Sequence, residues 1–165
     1  MISRRSFLKA GTAATFVSGP FFSGAVYAEG NADLGVAKGA NIEAAVRAAV
    51  AAVGGIGAFV KKGNQVIIKP NISFASAPER ATTTNPEVLR VVMKLCFEAG
   101  AKKVLVVDHP LNDAEVIGTG VAIAEAVKQT SNAMLILPTT ESLYVETPIP
   151  RGKEMKSTKM VKILK

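Results

Sequence analysis

NPEVLRVVMKLCFEAGAKKVLVVDHP, residues 85–110, decides the fold. Asn85 offers a side-chain cap, Pro86 suits the first helical position and Gly100 lies just past the end, so a helix runs between them. Leu89, Val92, Met93, Cys96 and Phe97 recur at i, i+3, i+4, i+7 and i+8 and give that helix one apolar face. KVLVV (103–107) follows as a short, continuous apolar run, the composition of a strand buried on both faces. A helix feeding such a strand is half of a strand–helix–strand unit, and the pattern recurs on either side.

Upstream, QVIIK (65–69) reads as another buried strand and GVAK (35–38) as a first one, ended by Gly39. Between them Asn41 caps a helix whose Ile42, Val46, Ala49 and Val53 repeat at helical spacing; Gly54-Gly55 weaken it and Gly63 stops the last turn. Downstream, a third helix from Thr119 to Gln129 leads to AMLIL (133–137), which Pro138 stops. This alternation predicts an α/β fold: an open, mainly parallel sheet with helices on both faces, three-layered and Rossmann-like. SLYVETPI (142–149) and MKSTKMVKIL (155–164) flank PRGKE and read as a C-terminal β-hairpin. Four parallel strands and a hairpin make a thin core, so the chain reads as the incomplete, N-terminal portion of a longer domain.

The first 30 residues, MISRRSFLKAGTAATFVSGPFFSGAVYAEG, follow a different plan. A basic start (Arg4, Arg5, Lys9), an apolar stretch and a small-residue end at Val26-Tyr27-Ala28 form an export signal, cleaved after Ala28. Gly11, Gly19, Pro20 and Gly24 argue against a stable membrane-spanning helix. The adjacent arginines of SRRSFLK resemble the twin-arginine signal, which implies passage through the twin-arginine translocase to the periplasm. The organisation expected is a signal peptide over 1–28, a flexible leader over 29–34 and a single α/β domain over 35–165.

The net positive charge comes from the chain's ends. The signal holds three of the 20 basic residues, and residues 151–165 hold six basic against one acidic. The basic tail has no aromatic side chain to stack a base, so a nucleic-acid partner is excluded in favour of a lysine-studded strand edge. The single cysteine, Cys96, allows no internal disulfide and no cysteine set for zinc or an iron–sulfur cluster; on an apolar helix face it reads as a buried structural thiol. GTG (118–120) lacks the rest of any phosphate-binding pattern, and GGIG (54–57) lies between helix and strand, the wrong context for a dinucleotide.

In an open parallel sheet, ligands bind beyond the carboxyl ends of the strands. Here those ends are Lys38-Gly39, Lys69-Pro70-Asn71, Asp108-His109-Pro110 and Pro138-Thr139-Thr140, and the long loop 70–85, rich in Ser, Ala and Thr, lies over them. Lys69 would supply positive charge, and Asn71, Thr82, Thr83 and Thr84 would orient a small anionic or redox ligand before a helix N-terminus. Asp108 and His109 form the one acid/base candidate, for a proton or a metal. Each has a structural alternative. Lys69 can lay its stem on apolar surface, Asn71 can make a side-chain turn, the threonines can be part of a cap, and His109 can be a hydrogen-bonded loop residue.

Lys69-Pro70-Asn71, the Thr-rich approach to Asn85-Pro86, Glu98-Ala99-Gly100-Ala101 leading to Asp108, and the hairpin TPIPRGKEMKSTKMVKILK, together with the twin-arginine start, resemble the family called domain of unknown function 362. The resemblance covers residues 35–165. It implies an α/β scaffold with a site around Lys69, Asn71 and Asp108. Some members are described as iron–sulfur proteins, a cofactor for which this chain has no ligand set. Family members usually continue past this point, so the other half of the site is expected beyond it. Two further functions stay open: a non-catalytic periplasmic binding or accessory module docking through the basic hairpin to a partner not identified, and a truncated product without activity.

Overall fold

A computed structural model describes residues 32–74, 78–109 and 119–165. The export signal with Arg4, Arg5 and Ala28, the start of the leader, and Pro110 to Gly118 lie outside them. The chain divides into two compact units between Phe59 and Val60.

The described part of the first unit is one α-helix, its approach and a 3-10 turn at Ile56–Ala58. Helix α1 (Ile42–Ala52) starts where Asn41 accepts a hydrogen bond from the Ala44 N–H at 2.9 Å, and Glu43 and Arg47 pair one turn apart at 3.1 Å. It stops at Gly54 and Gly55, both at positive φ, a conformation glycine adopts without steric cost. Residues 35–38, expected as a strand, form none. Gly35 instead lies so close to α1 that a Cβ there would sit 2.2 Å from the Ala49 carbonyl oxygen, and the Ala32 N–H reaches the Ala52 carbonyl at 3.1 Å. Backbone packed that tightly on a helix is not available for a sheet ladder. The rim therefore loses Lys38-Gly39 as a strand end.

The second unit is the α/β body. Strands β1 (Gln65–Ile68), β2 (Lys103–Val107) and β3 (Ala133–Ile136) form a parallel sheet in the order 1-2-3, with Val66 opposite Val104 and Val104 opposite Ala133. Helix α2 (Pro86–Glu98) crosses from β1 to β2 and α3 (Thr119–Lys128) precedes β3. The two helices pack on each other, as consecutive crossovers of one hand require. The central strand is the core: Val104, Leu105 and Val106 are fully buried.

Helix α2 begins and ends as its sequence dictates. Asn85 accepts from the Glu87 N–H at 2.8 Å, and Gly100 turns the chain at φ 91°. Its buried residues are Leu89, Val91, Met93, Leu95 and Cys96, with Val92 and Phe97 only half-covered. The expected stripe is thus widened through Val91 and Leu95, because a helix wedged between a sheet and a neighbouring helix buries two flanks. Strands β4 (Tyr144–Pro148) and β5 (Ser157–Val161) form the antiparallel hairpin, with Glu146 opposite Lys159.

Candidate functional site

Parallel strands place their carboxyl ends along one edge, and on that edge Asp108 continues the buried run of β2. Its carboxylate is 2% exposed and both oxygens are used. Oδ1 accepts from the Lys69 ammonium at 2.5 Å, and Oδ2 accepts from the buried Ile72 N–H at 2.8 Å. A buried carboxylate is tolerable only when paired and hydrogen-bonded, and this one is both. The Lys69 side chain is 70% exposed, so Asp108 fixes an ammonium that stays in contact with water. An ammonium has three N–H donors. One goes to Asp108 and one to the Pro70 carbonyl at 3.1 Å. The third has no partner among the described residues and points a charged donor outward.

Loop 70–85 is stapled at its base. The Asn71 N–H donates to Thr84 Oγ1 at 2.9 Å, the Thr84 N–H donates to the Asn71 carbonyl at 2.8 Å, and Asn71 Nδ2 donates to the Thr82 carbonyl at 3.2 Å. Asn71 Oδ1 also accepts from the Ser73 N–H at 3.1 Å, the side-chain turn that asparagine favours. The Asn71 and Thr84 side chains are therefore engaged in closing the loop, and the closure brings residues 82–84 alongside the end of β1. Thr83 is different. Its hydroxyl is buried and has no hydrogen-bond partner among the described residues, which is costly for a polar group. Thr82 is exposed on the same segment.

His109 leaves β2 toward the other neighbour. Its Nδ1 lies 3.1 Å from the Pro138 carbonyl oxygen, just past β3, and 2.8 Å from the hydroxyl of Tyr144, the first residue of β4. Tyr144 also donates to the Pro138 carbonyl at 2.9 Å, and the two rings meet edge to face. Asp108 engages the end of β1 while His109 engages the end of β3. Tyr144 was not among the sequence candidates. Its partner lies 35 positions away, and no local pattern marks it.

Among the described residues no three of His, Cys, Asp and Glu converge as a metal site. An iron–sulfur cluster needs several thiolates. Cys96 is one thiol, 1% exposed on an apolar helix face, where burial pushes its pKa up and away from the thiolate. These residues do not fit a cluster. Away from the rim, an open groove of about 700 Å³ runs between the C-terminal halves of α2 and α3, past Phe97, Thr130 and Asn132. No described helix is long and apolar enough to cross a membrane.

Comparison with known proteins follows the same body. The chain is 35% identical over 82 residues to the thylakoid-associated protein sll1697 of Synechocystis, a match covering 50% of this chain and 24% of that relative. The chain thus spans about a quarter of the length of the curated relative it matches. No solved structure matches it. The family described as Domain of unknown function (DUF362) matches residues 66–165, from the second residue of β1 through the hairpin, and the chain belongs to that family.

Proposed function

We propose that this is an exported protein, carried by the twin-arginine route to the periplasm and cleaved after Ala28. In this reading the carboxyl edge of its sheet carries part of a binding site for a small anionic ligand. One observation carries the site: Lys69, fixed by a buried carboxylate yet 70% exposed, keeps a charged N–H donor facing solvent. The Thr83 hydroxyl, buried and without a partner among the described residues, lies on the segment that Asn71 staples to the end of β1, three residues before α2. A helix N-terminus favours negative charge, although Glu87 in the first turn already meets part of that preference. Because Asp108 cancels much of the charge on Lys69, recognition rests on directed hydrogen bonds rather than bulk attraction. Affinity for a simple anion is then weak, on the order of millimolar. A redox ligand would have to bring its own electron chemistry, since the cysteine here is buried. The relative's thylakoid association accords with work at or beyond a membrane rather than in the open cytoplasm.

Two experiments test the reading. Expressed in a bacterial host, the full chain should yield a periplasmic product beginning at Glu29, whereas Arg4→Lys with Arg5→Lys should leave uncleaved precursor in the cytoplasm. Cleaved product in the double variant would refute the route. For the site, a panel of inorganic and organic anions is read by thermal unfolding, with Lys69→Ala as control. Stabilisation that survives Lys69→Ala would place the ligand elsewhere.

A further inference from the structure

Two oxygens around His109 Nδ1 bear on which of its nitrogens carries the proton. Pro138 contributes a carbonyl oxygen, which only accepts. It lies 3.1 Å from His109 Nδ1 and 2.9 Å from the Tyr144 hydroxyl, and those two lie 2.8 Å apart. With a proton on Nδ1, the Tyr144 O–H donates to the Pro138 carbonyl, Nδ1–H donates into the same pair of oxygens, and every contact is attractive. With Nδ1 bare, the single Tyr144 proton can serve only Nδ1 or the carbonyl. The Nδ1 lone pair then faces the carbonyl oxygen with no hydrogen between them. The first arrangement has one more hydrogen bond and one less repulsion.

We propose that the Pro138 carbonyl and Tyr144 hold His109 as the Nδ1–H tautomer. Nε2, on the far side of the exposed ring, is then the atom of the rim that takes a hydrogen bond or a proton from a ligand O–H. When it takes the proton, the ligand oxygen keeps the bonding pair and becomes an anion. The resulting imidazolium keeps its Nδ1–H on the Pro138 carbonyl, and return of the Nε2 proton restores both partners. Pro138 and Tyr144 act as positioning groups, and through Tyr144 the hairpin becomes part of the edge. Use of Nε2 by a ligand rests on the anion-site reading above; the tautomer rests on the geometry alone.

The chain has one histidine, so its nitrogen signals need no assignment by mutation. Long-range ¹H–¹⁵N correlation on the full chain, at a pH where the ring is neutral, reads the tautomer directly. The Nδ1–H form should dominate the Nε2–H form, by roughly two- to tenfold for one net hydrogen bond. Tyr144→Phe should keep Nδ1–H, now on the Pro138 carbonyl alone. A dominant Nε2–H form in the unsubstituted protein, or a switch to it in Tyr144→Phe, would overturn the proposal. Carbethoxylation of the folded chain should likewise fall on Nε2, and an Nδ1 adduct would contradict it. Failure of every anion to bind would remove the ligand reading while leaving these spectra unchanged.

Discussion

Asp108 and Lys69 form one ion pair with two very different halves, and substitution should separate them. The Asp108 carboxylate is 2% exposed and satisfies the N–H of Ile72, itself 4% exposed. Asp108→Ala removes a charge-assisted hydrogen bond and orphans a buried donor, at a cost of about 3 kcal/mol. Asp108→Asn can still accept from Ile72 and loses only the charge, so about 1 kcal/mol is expected. Lys69→Ala leaves the buried carboxylate with the Ile72 N–H and with water entering where the 70% exposed partner stood, so an intermediate cost of about 1–2 kcal/mol is expected. The double variant Lys69→Ala/Asp108→Ala should cost little more than Asp108→Ala, because a freed Lys69 returns to water. The chain has no tryptophan, so urea unfolding is best followed by far-ultraviolet circular dichroism. A Lys69→Ala cost equal to that of Asp108→Ala would mean that the ion pair, and not the buried donor, dominates.

Two further expectations concern the core. Leu105 is fully buried in the central strand, while Met134, its register neighbour on β3, is 48% exposed. Leu105→Ala should cost about 2–5 kcal/mol and Met134→Ala under about 1 kcal/mol in the same unfolding assay; equal costs would contradict the central place of β2. Burial raises the Cys96 pKa above its ordinary 9.0, so the native state holds the thiol proton more tightly than the unfolded chain does. That contribution is intact below the unfolded value and is lost as pH rises through it toward the native one. The stability difference between the unsubstituted protein and Cys96→Ala should therefore be constant below about pH 9 and shift against the unsubstituted protein above it. A flat difference across that range would argue that the thiol is not desolvated.

Much of the body was legible because its signals are local. Asn85, Pro86 and Gly100 bracket α2 in the sequence and do so in the fold. The apolar runs at 65–69, 103–107 and 133–137 each contain a strand of the parallel sheet. GVAK failed as a strand because four residues with a glycine at the front carry little strand preference, and close packing against α1 decided the matter. The edge was legible only as a set of strand ends. That Lys69 and Asp108 pair could not be read from two residues 39 positions apart, nor could the division of Asp108 and His109 between opposite neighbours. Asn71 and Thr84 carry side chains suited equally to a ligand and to a loop; only their mutual hydrogen bonds show the loop using them.

The central claim is that the carboxyl edge of the sheet binds a small anion through Lys69. Titration of the ¹⁵N-labelled full chain with inorganic phosphate, monitored amide by amide, tests it most directly. Saturable shifts are expected at Ile72, Thr83, Thr84, Asp108 and His109, on the order of millimolar in midpoint and abolished in Lys69→Ala. Shifts confined to the groove beside Phe97, or an edge that stays silent to saturation, would contradict it.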